Sequence, residues 1–409
     1  VPFTRDHQLI LGAAFIGCLG VFGMHVLLPA LPAIGGRFAA SAAETQLLIS
    51  SSMLAIGFGN LAIAPLSDRF GRRPVLLAGL ALYVLGSLAG LAAPTLEALI
   101  AARIVQAFGG GASQAVMRAA LTDRFGAGAA TAIAYTAMAI LIVPMFAPIL
   151  GGFAVERYGW RAPFGLAALL GAAVVLFALL RVAETRRATP AGKAPPRIIA
   201  GYRQLLATPE YVAFVLYGGF MMTTVYLFIA GAPYVAIQLY GVSPPEYGLW
   251  FVLPAAAAFV GFLLAGRLSQ AKGGYWMMRS GALVSLVGAL GILATVAAGV
   301  WTPLALFLPA MLICHANALS APNSMSAAIM IRPDIAGAAS GLLGFLQLAI
   351  AALLAQTVAA LENGTPWPLA IAIVGSNAAA LFTYQWIRRH RDRRIATAHA
   401  AAVSQEPLT

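Results

Sequence analysis

Twelve times along this chain, a run of roughly 20 mainly apolar residues is closed by a charged or Gly/Pro-rich break. About 20 residues of helix is what crosses a hydrocarbon core ~30 Å thick. Of the 409 residues, 61% are hydrophobic and 9% charged, against about a quarter charged in soluble chains. Thirteen acidic residues cannot coat a soluble surface of this size, so the apolar faces must meet lipid. The expected fold is all-α and integral to the membrane, with twelve transmembrane helices.

The breaks place spans near 8–31, 44–66, 74–93, 96–117, 130–154, 162–181, 211–234, 246–266, 277–298, 302–326, 337–360 and 367–387. The first run follows Arg5 and is too long, and too poor in a cleavage signature, for a signal peptide. It reads as a retained helix, behind a start whose missing Met suggests trimming. Cys18 and Cys314 each lie inside an apolar run, so no disulfide framework is implied.

The formal net charge is +12. Binding nucleic acid would need a basic face on a soluble module with aromatic or groove-reading elements, and none is visible. With the N-terminus in the cytoplasm, the 25 Lys and Arg residues all fall on the cytoplasmic side except Arg37, Arg157 and Arg161 outside and Arg103 within a span. That asymmetry is the positive-inside rule, and both termini are expected in the cytoplasm.

The longest polar stretch, Glu184 to Glu210, carries Arg186, Arg187, Lys193, Arg197, Pro190, Pro195 and Pro196. It divides the chain into an expected six-helix bundle over 1–183, a cytoplasmic linker over 184–210, a second bundle over 211–387 and a basic cytoplasmic tail over 388–409. Within the linker, Ile198 to Leu206 reads either as an amphipathic surface helix or as a solvated connector. The halves also share an offset: Glu44 precedes Asp68 by the same interval as Glu246 precedes Gln270, and Leu66-Ser67 matches Leu268-Ser269. Such internal repeats suit pseudo-symmetric bundles.

The most specific local feature is the loop Ala64-Pro65-Leu66-Ser67-Asp68-Arg69-Phe70-Gly71-Arg72-Arg73-Pro74. A short basic turn with one acid and one Gly can seal two helix ends, or it can be a positive-inside anchor. The loop resembles G-x-L-x-D-R-x-G-R-R of the major facilitator superfamily, with Ala64 in place of the first Gly. The resemblance assigns Asp68, Arg69, Gly71, Arg72 and Arg73 to gating, and Arg118 is the expected partner of Asp68.

Arg103 lies within an apolar run, where a charge is costly and faces a bundle interior or snorkels to a membrane surface. Its segment, Arg103-Ile104-Val105-Gln106-Ala107, resembles the family's R-x-x-Q-G, whose Arg is tied to proton coupling. Pro144, Pro148, Gly151 and Gly152 read as a bending element or a small-residue packing face. Ala147-Pro148-Ile149-Leu150-Gly151-Gly152 resembles G-P-x-x-G-G of the antiporter branch, which implies export, and the four residues are expected to serve in gating.

Met24-His25-Val26-Leu27-Leu28-Pro29-Ala30-Leu31-Pro32 resembles D-M-Y-L-P-A-L-P of the bicyclomycin and chloramphenicol resistance branch of drug:proton antiporters. Where that branch has an intramembrane Asp, this chain has His25, and none of its acids lies mid-span. With a reference pKa near 6.5, His25 reads as a proton carrier, a substrate contact or a satisfied structural residue. The proton-coupling candidates are His25 and Arg103.

A second polar group, Cys314-His315-Ala316-Asn317 with Ser320, Asn323 and Ser324, lines a cavity or bonds helices together. It makes a poor metal site. The candidate substrate-cavity residues are Met24, Tyr135, Met138, Met221, Met222, Tyr226, Phe228, His315, Asn317 and Gln347, which equally suit bundle packing. The resemblance implies a multidrug efflux transporter of the bacterial inner membrane, working by alternating access with proton antiport, or alternatively a facilitator or importer of a small metabolite. The expected partners are a drug-like molecule, protons and lipid. No enzyme activity, cofactor or metal is expected, and the chain is expected to act as a monomer.

Overall fold

The computed structural model describes residues 5–185 and 198–403, and among these there is no strand. Its helices are α1 (Arg5–His25), α2 (Leu31–Phe38), α3 (Ala42–Phe70), α4 (Arg72–Ala92), α5 (Leu96–Phe125), α6 (Ala129–Tyr158) and α7 (Ala162–Arg181). Then follow α8 (Ile198–Leu206), α9 (Pro209–Pro233), α10 (Pro244–Lys272), α11 (Gly274–Ala297), α12 (Pro303–Met330), α13 (Ala336–Ala360) and α14 (Trp367–Val403). Arg186, Arg187, Lys193, Arg197 and the three linker prolines lie outside the described residues.

Eleven of the described segments are long and apolar enough to cross a membrane. The twelfth expected span is α5, whose 30 residues reach about 45 Å. Its apolarity is diluted by Arg103, Gln106 and Ser113, yet all three are buried because α5 packs between α3 and α4. Its polar groups face protein rather than lipid.

Several helix ends follow from local chemistry. Ser41 and Ser243 cap α3 and α10, each accepting from the backbone N–H three residues on, Glu44 and Glu246. Both helices run for 29 residues and stop at a glycine with positive φ, Gly71 (99°) or Gly273 (81°), whose N–H returns to Ser67 or Ser269. The repeat read from the sequence is thus a pair of similarly capped helices, with Glu44 also returning a bond to Ser41 and Glu246 accepting from Trp250 instead. Each serine cap stabilises its helix by about 1 kcal/mol.

Two helices run well past their expected ends, α5 to Phe125 instead of 117 and α10 to Lys272 instead of 266, and three further segments depart from expectation. The first span does not end at Leu31: α1 stops at His25, a 3-10 turn covers Leu28–Ala30, and α2 carries on to Phe38. Pro29 and Pro32 lack the N–H groups an unbroken helix would need. After α9, a wide π-type turn spans Tyr234–Leu239, with Tyr240 N–H bonded to Val235 O at 3.0 Å. Past the expected end of the last span at 387, α14 stays helical to Val403.

The segment Ile198–Leu206 is a helix, not a solvated connector. It packs on α9 and α13 with Leu205 fully buried.

In the first half, α4 packs on α5 and α7, and α1 on α5, α6 and α7. In the second, α11 packs on α12 and α14, and α9 on α12, α13 and α14. The halves meet along two seams, α3 on α13 and α6 on α10. At the end holding the 3-10 turn, residues of both halves form one apolar cluster, including Leu28, Met53, Phe228 and Phe251. Toward the Asp68–Arg73 loop the cores separate, one drawn from residues 9–182 and the other from 205–387. The halves thus share one core at one end, the sealed end, and keep two at the other, the parted end.

Candidate functional site

The site is built around α5 and the break after α1. Because α1 ends at His25, its last carbonyls lose the helical partners that would follow. Arg103 fills one such position, with Nη1 donating to Gly23 O at 3.1 Å. The same nitrogen donates to Gln106 Oε1, Gln106 Nε2 donates to Ser87 Oγ at 2.7 Å, and Ser87 donates to Tyr83 O. Tyr83 in turn donates its hydroxyl to Leu19 O at 3.0 Å. This buried chain pins α1 to α4 and α5, and it settles Arg103 as an interior residue rather than one that snorkels.

His25 lies two residues past the anchored Gly23 but makes no direct hydrogen bond to Arg103 among the described residues. Its Nδ1 donates to Val21 O at 2.9 Å, since a carbonyl can only accept. Its ring stands edge-on to Phe251 of α10 at 5.9 Å. His25 therefore sits in the seal, touching both halves.

An aromatic group completes the seal. Phe228 stacks on Phe251 at 6.0 Å and meets Phe307 edge-on at 5.7 Å, with Tyr247 and Trp250 packed beside them. Sequence reasoning missed Tyr247, Trp250, Phe251 and Phe307. The signal was available for the first three, whose i, i+3, i+4 spacing puts them on one face of α10.

Pro144 and Pro148 lie inside α6. Gly151 is covered by the backbone of Val26, and Gly152 by that of Pro244 and Pro245, so any β-carbon there would collide. The glycine face is where α6 meets both α10 and the segment just past α1.

At the parted end, Arg72 is the hub. Its guanidinium pairs with Asp68 at 2.6 Å and Asp123 at 2.8 Å and donates to Ser67 Oγ. Asp68 is therefore partnered by Arg72, not by Arg118, whose Nη2 donates to Asn60 Oδ1 at 2.7 Å. The two sit on different turns: Asn60 lies two turns before Asp68 on α3, level with Arg118 on α5. Glu184 accepts from the backbone N–H groups of Arg72 and Arg73 at 2.9 and 3.1 Å, capping α4, and Arg73 donates to Leu179 O. Arg69 lies over the Phe70 ring. Asp123 and Glu184 were missed because they lie 51 and 112 residues from Arg72.

The cavity candidates scatter. Met24 and Phe228 are buried inside the seal, and Met222 and Tyr226 border it. Met221 belongs to the second half's own core with Tyr217 and Met278. Tyr135 and Met138 lie on an exposed apolar stripe with Ile142, Phe146 and Phe153. That stripe continues along α6 to the sealed end. His315 Nδ1 donates to Ala257 O at 3.0 Å, tying α12 to α10, and Asn317 is half-buried one helical turn before Ser320. Gln347 lies tight against Gly218 of α9. Among the described residues no group of three or more His, Cys, Asp or Glu is placed to hold a metal.

The sequence is 24% identical over 388 residues to a bicyclomycin resistance protein homolog of Haemophilus influenzae, covering 92% of this chain and 95% of that protein. It is 28% identical over 354 residues to multidrug resistance protein D of Escherichia coli, covering 84% and 86%. Its fold is similar to a bacterial homologue of the human lysosomal transporter Spinster in an inward-facing, occupied conformation, with a TM-score of 0.75, 19% identity and coverage of 95% and 98%. The family description of the Major Facilitator Superfamily matches residues 13–356. With that match over most of its length, a helical fold parted at one end and the basic loop at the parted end, the chain is a multi-pass membrane protein that belongs to the Major Facilitator Superfamily.

Proposed function

We propose that this chain exports drug-like small molecules across a bacterial inner membrane by alternating access, in exchange for protons. The observation that carries the reading is one apolar cluster shared by both halves at one end, with separate cores at the other. An alternating-access protein needs that asymmetry at one stage of its cycle. The substrate class follows the names of the relatives, bicyclomycin and multidrug resistance proteins.

Residues 1–183 and 211–387 are the rocking bundles, 184–210 the linker and 388–409 the basic tail. The Lys and Arg distribution puts both termini, and so the parted end, in the cytoplasm. The substrate enters the gap there as a single drug-like molecule, and the chain works as a monomer. Asp68, Arg69, Gly71, Arg72, Arg73 and Arg118 gate the cytoplasmic end. Pro144, Pro148, Gly151 and Gly152 form the bending face on which the outer seal opens. Met222, Tyr226, Asn317 and Gln347 are the cavity contacts we retain.

His25 is the proton carrier. With Nδ1–H donated to Val21, the neutral ring keeps its lone pair on Nε2, the atom that takes the proton. Arg103 positions it through Gly23.

A facilitator without proton antiport is favoured by one observation. Glu44, Glu97 and Glu246 all lie in the first turn of a helix, leaving no mid-span carboxylate. Proteoliposomes separate the readings: the antiport reading expects substrate-dependent proton movement that His25→Ala abolishes. Counterflow insensitive to a pH gradient and to His25→Ala overturns it. An exporter-deficient bacterium that gains no resistance across a compound panel overturns export itself.

A further inference from the structure

A crevice of about 480 Å³ opens at the sealed end, away from the gap and from His25. One wall is α2 and the start of α3. The other is the end of α9, the wide turn Tyr234–Leu239 and the facing ends of α13 and α14. The size falls within the range of small-molecule sites.

Its lining is mostly apolar, with Leu227, Val358 and Leu369 prominent, but two polar groups stand out. Glu362 accepts from Gly364 N–H and stands beside the Tyr234 hydroxyl, and it makes no ion pair among the described residues. Gln46 is only 6% exposed, and its Nε2 finds no hydrogen-bond partner. That nitrogen has almost no accessible surface, so it borders the crevice without opening into it. The backbone is unusual on both walls as well: Ala39 holds φ at 49°, the one non-glycine with positive φ among the described residues, facing the π-type turn.

We infer that this crevice binds an amphipathic organic cation arriving from the outer face, and that the occupant clamps the two halves together there. The carboxylate of Glu362 and the ring of Tyr234 offer a cation what it needs, and the apolar wall takes its body. Both halves contribute walls. Next to the crevice Gln356 already ties them, accepting from Ser50 Oγ at 2.7 Å and donating to Ala43 O at 2.8 Å. A ligand that touches both halves only when they are closed shifts the equilibrium by its differential affinity. Its effect is to hold the parted-at-the-loop state and stop transport. This rests on the proposed topology only for which side of the membrane the crevice faces.

The test uses the full chain in nanodiscs with tetraphenylphosphonium as probe. Glu362→Gln is expected to weaken binding at least about tenfold, Glu362→Asp to keep most of it, and Asp334→Asn, an acid past the opposite end of α12, to change nothing. Spin labels on Tyr158→Cys and Val300→Cys, at the sealed end of each half, are expected to show only the short distance when the cation saturates. Affinity unchanged by Glu362→Gln, as for a cation held in the gap, overturns the inference, and so does a lengthened distance. Because the readout is binding and distance, this result stands or falls independently of whether cells gain drug resistance.

Discussion

Arg103 Nη1 donates to the carbonyl oxygen of Gly23 at 3.1 Å, so a buried guanidinium on α5 holds the last turn of α1 two residues before His25. The carbonyl is free to accept because α1 stops at His25. The helix break and the buried charge are thus parts of one device, each satisfying what the other leaves open.

Replacing that guanidinium is expected to uncouple the device. Arg103→Lys keeps the charge but loses the planar fork that reaches Gly23 and Gln106 together, so efflux is expected to fall at least about tenfold. Arg103→Ala leaves both acceptors unpaired, at about 1–3 kcal/mol. Efflux rates and thermal unfolding of purified protein measure the two effects, and wild-type efflux by Arg103→Lys contradicts the assignment.

The two carboxylates on Arg72 are expected to be unequal. Asp68 is 62% exposed at its side chain and Asp123 only 21%, and solvent screening leaves exposed pairs worth about 0–1 kcal/mol. Double-mutant cycles on unfolding should therefore give a larger coupling for Arg72 with Asp123 than with Asp68. The reverse order would mean that Asp68 has a partner in another state that dominates the measurement.

Adding one methyl group at the outer seam is expected to favour its opening. In Gly152→Ala the new β-carbon meets the backbone of Pro244 and Pro245, and overpacking costs about 1–3 kcal/mol. Spin-label distances across the sealed end should shift toward the longer population by roughly tenfold. Unchanged distances would show that α6 does not sit at the moving seam.

Deleting the cross-half hydrogen bonds gives a second measure of the seal. Gln356→Leu removes the bonds to Ser50 and Ala43, each worth about 1 kcal/mol net, and Ser50→Ala removes one of them. The population parted at the seal is expected to rise more for Gln356→Leu than for Ser50→Ala. Equal effects would place the bonds outside the transition.

Much of the fold was legible before any coordinates. Ser41 with Glu44 and Ser243 with Glu246 are caps written within four residues, and Gly71 and Gly273 end their helices by their own backbone freedom. Arg103 was half legible: a charge in an apolar run faces a bundle interior or snorkels, and the packing of α5 between α3 and α4 decided for the interior. The cavity was not legible: Met221 turned out to belong to the second half's core and Phe228 to the shared one, while Tyr135 and Met138 stand exposed on α6. Arg118 found Asn60 instead of Asp68 because the level at which two helices meet is set by how they pack, which neither segment records.

By itself the sequence determined that the chain is membrane-embedded and helical, where most helices start, and that α3 and α10 are copies of one pattern. Those properties depend on run length and on neighbours a few residues apart. Only the tertiary structure decided which face of each helix looks inward, and so which residues share the seal, the Arg72 hub and the outer crevice. In lipid the outside of a helix is as apolar as its core, so a helix apolar all round carries no pattern that names its buried side.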